Sequence, residues 1–226
     1  MQSNGKVYAQ DGTSGKKGVI YLTFDDGPST TITPQILDLL DRKGVKATFF
    51  ILNYDDARAD LVKREHEAGH TVAIHGFSHT YSAIYQSMNS YINNVTKLQE
   101  KIKDTIGIDV TITRFPGGSS NTVSTKYCSG VMTALCYEMV NRGYTYFDWN
   151  VDSDDAGSAK SSDDVYRNVT TRLKKDQANV VLMHDFSGNT KTLNALESII
   201  DYGLENGYTF EAITNETQMV THETNN

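Results

Sequence analysis

The chain has 226 residues, 38% of them hydrophobic, and a formal net charge of -7. That is enough apolar content to bury a full core, and one domain fits the length better than two. The acidic balance and the lack of a Lys/Arg stripe exclude a nucleic-acid binder, whose affinity rests on clustered cations at phosphates. No run of about 18 apolar residues is present to cross a bilayer.

Residues 1–17 are polar and contain Gly and Ser, without the apolar stretch of a signal peptide or anchor. They read as a tail or the remnant of an upstream region, the leader of an exported parent lying elsewhere, with residues 18–226 forming the functional domain. From there β-rich apolar runs alternate with amphipathic stretches. Strands are expected at 19–24, 46–52, 70–75, 111–115, 144–147, 179–183 and 208–212. Helices are expected at 32–43, 56–68, 88–106, 125–142, 162–176 and 190–206, several stopping at a glycine such as Gly44, Gly69, Gly107, Gly143 or Gly207. A βα repeat of this kind implies a parallel sheet covered by helices, doubly wound or closed, and about seven strands favour a barrel just short of the eight-stranded form.

The chemistry gathers at the carboxyl ends of these strands. Asp25 and Asp26 follow the first, ahead of a Gly27-Pro28 turn; His75 and His79 close the third; Arg114 ends the fourth, Asp148 the fifth, and His184 with Asp185 the sixth. In a parallel barrel that face carries the active site, so residues far apart in sequence converge there. Two adjacent carboxylates on a buried strand need a compensating cation or donors. Histidines four apart can face one ion, and with one Asp they make a set suited to catalytic zinc or to a non-haem iron centre. Acid and base residues around them favour hydrolysis.

Other patterns are read as bland. His66-Glu67-Ala68-Gly69-His70 matches the HExxH pattern of zinc proteases, but Gly69 ends the helix and His70 opens a strand, so the imidazoles do not share a helix face. Cys128 and Cys136 fall in one expected helix, about 12 Å apart along its axis, too far for a disulfide, whose Cα atoms lie within about 7 Å; both read as free thiols. The stretch 152–157 reads as a solvated acidic loop, since Ala156 stands where a calcium loop needs an oxygen. Asp185 reads as a loop residue, and the sequons at Asn94, Asn168 and Asn215 as chance.

Thr23-Phe24-Asp25-Asp26-Gly27, His75-Gly76-Phe77-Ser78-His79, Arg114-Phe115-Pro116-Gly117-Gly118, Asp148-Trp149 and Leu182-Met183-His184 resemble, in order, the five motifs of the polysaccharide deacetylases, carbohydrate esterase family 4, over residues 18–213. The resemblance implies a distorted (β/α) barrel of about seven parallel strands and metal-dependent removal of acetyl groups from polymeric sugars. It implies that Asp26, His75 and His79 hold one divalent ion, zinc foremost, with cobalt or nickel as alternatives. Asp25 would be the general base, Arg114 its partner, His184 the general acid and Asp148 the carboxylate that charges His184. The oxyanion would be met by the metal and by the backbone N–H of Gly117, after Pro116, while Trp149 and Leu182 would wall the acetyl slot.

Two positions depart from the motifs. Gly76 replaces a common Ser or Thr, and Gly117 replaces a common aromatic, which is expected to leave the cleft more open. The expected partner is an N-acetylated glycan, foremost peptidoglycan N-acetylglucosamine, with chitooligosaccharides or acetylated xylan as alternatives. An extracellular or cell-surface monomer is expected. A catalytically inactive carbohydrate-binding protein on the same scaffold is the reading from another class.

Overall fold

The computed structural model describes residues 16–226; almost all of the tail expected at 1–17 lies outside the described residues. In chain order the elements are β1 (Val19–Asp25), α1 (Thr33–Lys43), β2 (Thr48–Leu52), α2 (Asp56–Glu67), β3 (Thr71–Gly76), α3 (Tyr81–Ile84), α4 (Met88–Ile106) and β4 (Ile112–Thr113). There follow α5 (Val131–Asn141), β5 (Thr145–Tyr146), β6 (Val151–Asp152), α6 (Ser162–Thr170), β7 (Asn179–His184), α7 (Thr190–Glu205) and β8 (Thr209–Phe210). Seven strands run parallel in the order β5-β4-β3-β2-β1-β7-β6, and β8 pairs with the start of β1. The sheet curls into the distorted (β/α) barrel that the motif resemblance implies.

Why β1 sits inside the sheet follows from its composition. All seven of its residues are buried, and a strand with both faces covered has no use for polar alternation. Its two faces nevertheless differ. Ile20, Leu22 and Phe24 join the large cluster under the helices, whereas Val19 and Tyr21 join a smaller cluster inside the curl with Phe50, Ala73, Ile112, Phe147 and Val180. Side chains alternate along a strand. Continuing the inward parity by two or four residues brings Asp25, His75, Arg114 and His184 to the interior at the carboxyl ends of four strands. The site is therefore the polar top layer of the inner core.

At the opposite end β8 is wedged in beside β1, which pairs with β2 only over Thr23–Asp25 and with β8 over Val19–Ile20. Between the outermost strands β5 and β6, the Asp148 N–H donates to Val220 O at 2.8 Å and the Asn150 N–H to Val180 O at 3.2 Å. The C-terminal residues thus fill the side where β5 and β6 do not meet. Helix starts are set locally: Asp55 accepts from the Arg58 N–H, Ser87 from the Ser90 N–H, and Ser161 forms a reciprocal capping box with Asp164, each worth about 1 kcal/mol.

Three expectations need correction. β6 and α3, two and four residues long, were not expected. The helix expected at 125–142 is a 3-10 turn at Val123–Lys126 and then α5, separated by Gly130 at φ 75°. Cys128 consequently lies outside the helix that holds Cys136. Both cysteines are free, as expected, although not for the reason of a shared helix axis.

Candidate active site

Asp26, His75 and His79 each bring a ligand atom to within 4.8 Å of the others. The His75 Nε2 lies 3.5 Å from Asp26 Oδ1, and the His79 Nε2 lies 3.8 Å from the same oxygen. His75 Nδ1 is 3.0 Å from the Arg114 carbonyl; donating its proton there leaves Nε2 as the lone-pair nitrogen facing Asp26. Burial pulls the His75 pKa down, so the ring is neutral and able to bind a metal. Asp26 reaches the cluster because its backbone is left-handed, with φ 73°. Its Oδ1 is buried without a hydrogen-bond partner among the described residues, a costly state for a carboxylate oxygen. One oxygen and two imidazole nitrogens facing one point, with the remaining directions open, fit a catalytic divalent metal.

The segment between the two histidines is braced by Asn94 on α4, whose Oδ1 accepts from the Ser78 N–H at 2.7 Å while its Nδ2 donates to the Ser78 carbonyl at 3.2 Å. Gly76 makes room for this amide. Its φ is 152°, and a Cβ there would collide with Asn94 Nδ2. Gly76 is thus a packing requirement of this chain, and Asn94 is a supporting residue that sequence reading treated only as a chance sequon.

Asp25 and Arg114 form a buried pair. Arg114, 0% exposed, donates through Nη1 to Asp25 Oδ1 and to Thr23 Oγ1, both at 2.7 Å, through Nε to Phe147 O at 2.9 Å, and through Nη2 to Asp148 O at 3.0 Å. Its guanidinium lies 4.1 Å from the centroid of the Phe50 ring. A guanidinium with this many acceptors is fixed, and it holds the Asp25 carboxylate in one orientation. Asp25 Oδ2 is left toward His75 Nε2, at 3.9 Å.

The carboxylate that charges His184 is Asp155, not Asp148. The His184 Nδ1 donates to Asp155 Oδ1 at 2.7 Å, and the His184 backbone N–H to Asp155 Oδ2 at 2.8 Å. Asn189 Nδ2 and the Thr192 hydroxyl, at the start of α7, complete the set around Asp155. Burial draws the His184 pKa down, but the hydrogen bond and charge of Asp155 outweigh it, with Asp25 and Asp26 adding, and the pKa is raised to about 9. The expectation of a solvated loop at 152–157 therefore fails at Asp155, which is only 2% exposed, while Ala156 and Gly157 are exposed.

Asp148, also buried, does other work. It accepts from the Ser119 N–H at 2.8 Å, the Ser119 hydroxyl and the His222 N–H at 2.7 Å, clasping the loop after Gly118 to the C-terminal residues. His222 in turn reaches Trp149, with Nε2 2.6 Å from the Trp149 carbonyl and the rings 4.8 Å apart at 78°. Asp185 is not a bystander in a loop either. It is fully buried against Gly27, where a Cβ would overlap its carboxylate, and it accepts from the Thr33 hydroxyl. Burial, reinforced by Asp26 and Asp25 and opposed by the Thr33 hydroxyl, raises its pKa to about 7.

The Tyr85 hydroxyl donates to the Pro116 carbonyl at 2.8 Å, holding the turn in which Gly117 has φ 80°. Leu182 is 6% exposed on the inward parity of β7, two residues before His184. The space beside Gly117 is not open: a Cβ there would run into the Tyr81 hydroxyl and lie 3.3 Å from Asn121 Cβ. The expected opening of the cleft at 117 is filled from α3. The protease-like pair is dismantled, because His70 lies past Gly69 with its Nδ1 accepting from the Ala47 N–H at 3.2 Å, and burial lowers its pKa to about 4.

The family model described as polysaccharide deacetylase matches residues 12–131, just over half of the chain. A peptidoglycan-N-acetylglucosamine deacetylase of Bacillus cereus is 34% identical, over 89% of this chain and 71% of that protein. The chain belongs to the polysaccharide deacetylase family.

Among solved structures, the catalytic domain of peptidoglycan N-acetylglucosamine deacetylase from Eubacterium rectale matches with a TM-score of 0.89 and 43% identity, covering 96% of this chain and 98% of that one. A bifunctional xylanase/deacetylase of Pseudobutyrivibrio xylanivorans is 33% identical over 89% of this chain, which spans 31% of that protein. The protein is thus a hydrolase of carbohydrate esterase family 4. In this deacetylase the polar residues on inward parity were legible in advance. Those held from outside the motifs, Asp155, Asn94, Tyr81 and His222, were not, because each is placed by a contact between distant segments.

Proposed function

We propose that this deacetylase removes N-acetyl groups from a polymeric amino sugar, with peptidoglycan N-acetylglucosamine as the foremost substrate. The observation that carries the reading is that one candidate metal cluster has beside it both Asp25, ion-paired with Arg114, and His184, kept protonated by Asp155. Pairing an ionised carboxylate with a protonated imidazole is what base-then-acid hydrolysis needs. Asp26, His75 and His79 hold one divalent cation, zinc foremost and cobalt or nickel as alternatives. When bound there, that cation supplies Lewis-acid polarisation of the acetyl carbonyl and eases the deprotonation of water.

Asp25 Oδ2 takes the proton of the attacking water as its oxygen bonds to the acetyl carbon. The Gly117 N–H donates to the oxygen that gains charge, and Pro116, pinned by Tyr85, holds that N–H in place. Trp149 and Leu182 wall the slot for the acetyl methyl group. The imidazolium of His184 then gives its Nε2 proton to the sugar nitrogen as the carbon–nitrogen bond breaks, leaving acetate and a free amine. With its pKa raised to about 9, His184 carries that proton at neutral pH. No member of the set is missing, which argues against an inactive binding protein. Every group named comes from one chain, so a monomer suffices. Peptidoglycan lies outside the cytoplasmic membrane, so on this reading the enzyme acts extracellularly or at the cell surface.

The test is acetate release from N-acetylglucosamine oligomers, purified peptidoglycan and acetylated xylan. Chelator-treated protein is expected to be inactive, to recover with zinc or cobalt, and to lose at least about a hundredfold in rate on Asp25→Asn. Release from xylan alone would replace the N-deacetylase reading with that of an O-acetyl esterase. Undiminished release after chelation would overturn the metal assignment.

A further inference from the structure

Tyr81 opens the short helix α3, two residues after His79. Its ring stands edge-on to the His79 imidazole, with centroids 5.4 Å apart at 84°, and is backed by Tyr85 at 5.6 Å. This arrangement carries its hydroxyl across the cleft to Gly117, onto the spot where a side chain at 117 would begin. The hydroxyls of Tyr54, Tyr85 and Tyr144 are spent on Thr105, Pro116 and Gln99. Among the described residues the half-buried Tyr81 hydroxyl has no hydrogen-bond partner, although it lies between a candidate metal ligand and the candidate oxyanion loop.

We propose that Tyr81 is a substrate-binding residue of this enzyme: its hydroxyl donates a hydrogen bond to an oxygen of the sugar unit that bears the acetamide, and its ring forms the cleft wall that Gly117 cannot supply. The positive φ of Gly117 and the position of Tyr81 go together, because a side chain at 117 and the phenol cannot share the space. A phenol is suited to the task, being a rigid apolar face with one polar tip. The proposal rests on the N-acetylated glycan reading above.

The experiment compares wild type, Tyr81→Phe and Tyr81→Leu in three measurements: binding of an N-acetylglucosamine oligomer to metal-stripped protein by calorimetry, steady-state deacetylation of that oligomer, and hydrolysis of an aryl acetate that has no sugar. Zinc affinity is measured alongside. Tyr81→Phe is expected to weaken oligomer binding and raise KM about tenfold, with kcat, aryl acetate hydrolysis and zinc affinity unchanged; Tyr81→Leu, which also loses the ring, is expected to weaken binding further. Equal oligomer binding by wild type and Tyr81→Phe overturns the proposal, as does a parallel loss of aryl acetate hydrolysis or zinc affinity, which a structural role through His79 would produce. Oligomer bound by wild type, bound more weakly by Tyr81→Phe and turned over by neither would leave Tyr81 in place and remove the N-deacetylase reading. No oligomer binding by wild type would overturn both.

Discussion

Replacing Asp155 with Asn removes the negative charge beside His184 and keeps the side chain nearly isosteric. In the native site burial opposes the imidazolium, and Asp155 is what reverses the balance and raises the His184 pKa to about 9. Without that charge the burial remains, opposed only by the smaller effects of Asp25 and Asp26, so the pKa falls toward the ordinary 6.5. The difference withdraws about 3 kcal/mol of preference for the protonated form. At pH 8 the protonated fraction drops from about nine-tenths to about 3%, so kcat/KM falls roughly thirtyfold from protonation alone. The assay is the pH profile of kcat/KM for deacetylation. Its basic limb reports His184, because the general acid must be charged before the amine leaves. Below the folded pKa the activity is full, and it drains as pH rises through that value. A cation at the Asp26 site lowers the limb in every variant together, so the separation between variants is the signal. Asp155→Asn is expected to move the limb down by more than two pH units. Asp148→Asn is expected to leave the limb in place, since Asp148 bonds Ser119 and His222. A limb that moves with Asp148→Asn and stays with Asp155→Asn would refute the reasoning.

Two further outcomes follow from buried charge. Arg114→Met leaves Asp25 buried without its cation and is expected to cost about 3–5 kcal/mol in denaturant unfolding; adding Asp25→Asn should recover most of that loss, and a single variant within 1 kcal/mol of wild type would contradict the pairing. Glu65 on α2 is fully buried with neither carboxylate oxygen hydrogen-bonded among the described residues, and burial, with Asp185 adding, raises its pKa well above 4.5. The stability it contributes is present below pH 4.5 and is lost as pH rises toward the folded pKa. Glu65→Gln is therefore expected to gain on wild type above pH 4.5, by up to about 1.4 kcal/mol per pH unit, and unfolding midpoints that stay parallel from pH 4 to 8 would count against it.

What the sequence by itself determined is the scaffold and the residues strung on its strands. β1, β2, β3 and β7 are long enough for apolar runs to declare them, and their turn-proximal ends carry Asp25, His75 and His184 on a parity that two-residue periodicity fixes. Parallel pairing then obliges those ends to share one face. Tertiary structure alone decided between Asp148 and Asp155. Both are acidic residues after β5, and sequence carries no signal of which acid is buried against His184. That choice was made by Asn189 and Thr192 at the start of α7, more than thirty positions downstream of Asp155. The same holds for Tyr81 filling the space at Gly117, Asn94 bracing the loop past Gly76, and His222 returning from the chain end to hold Trp149. Each depends on a contact between segments that share no periodicity.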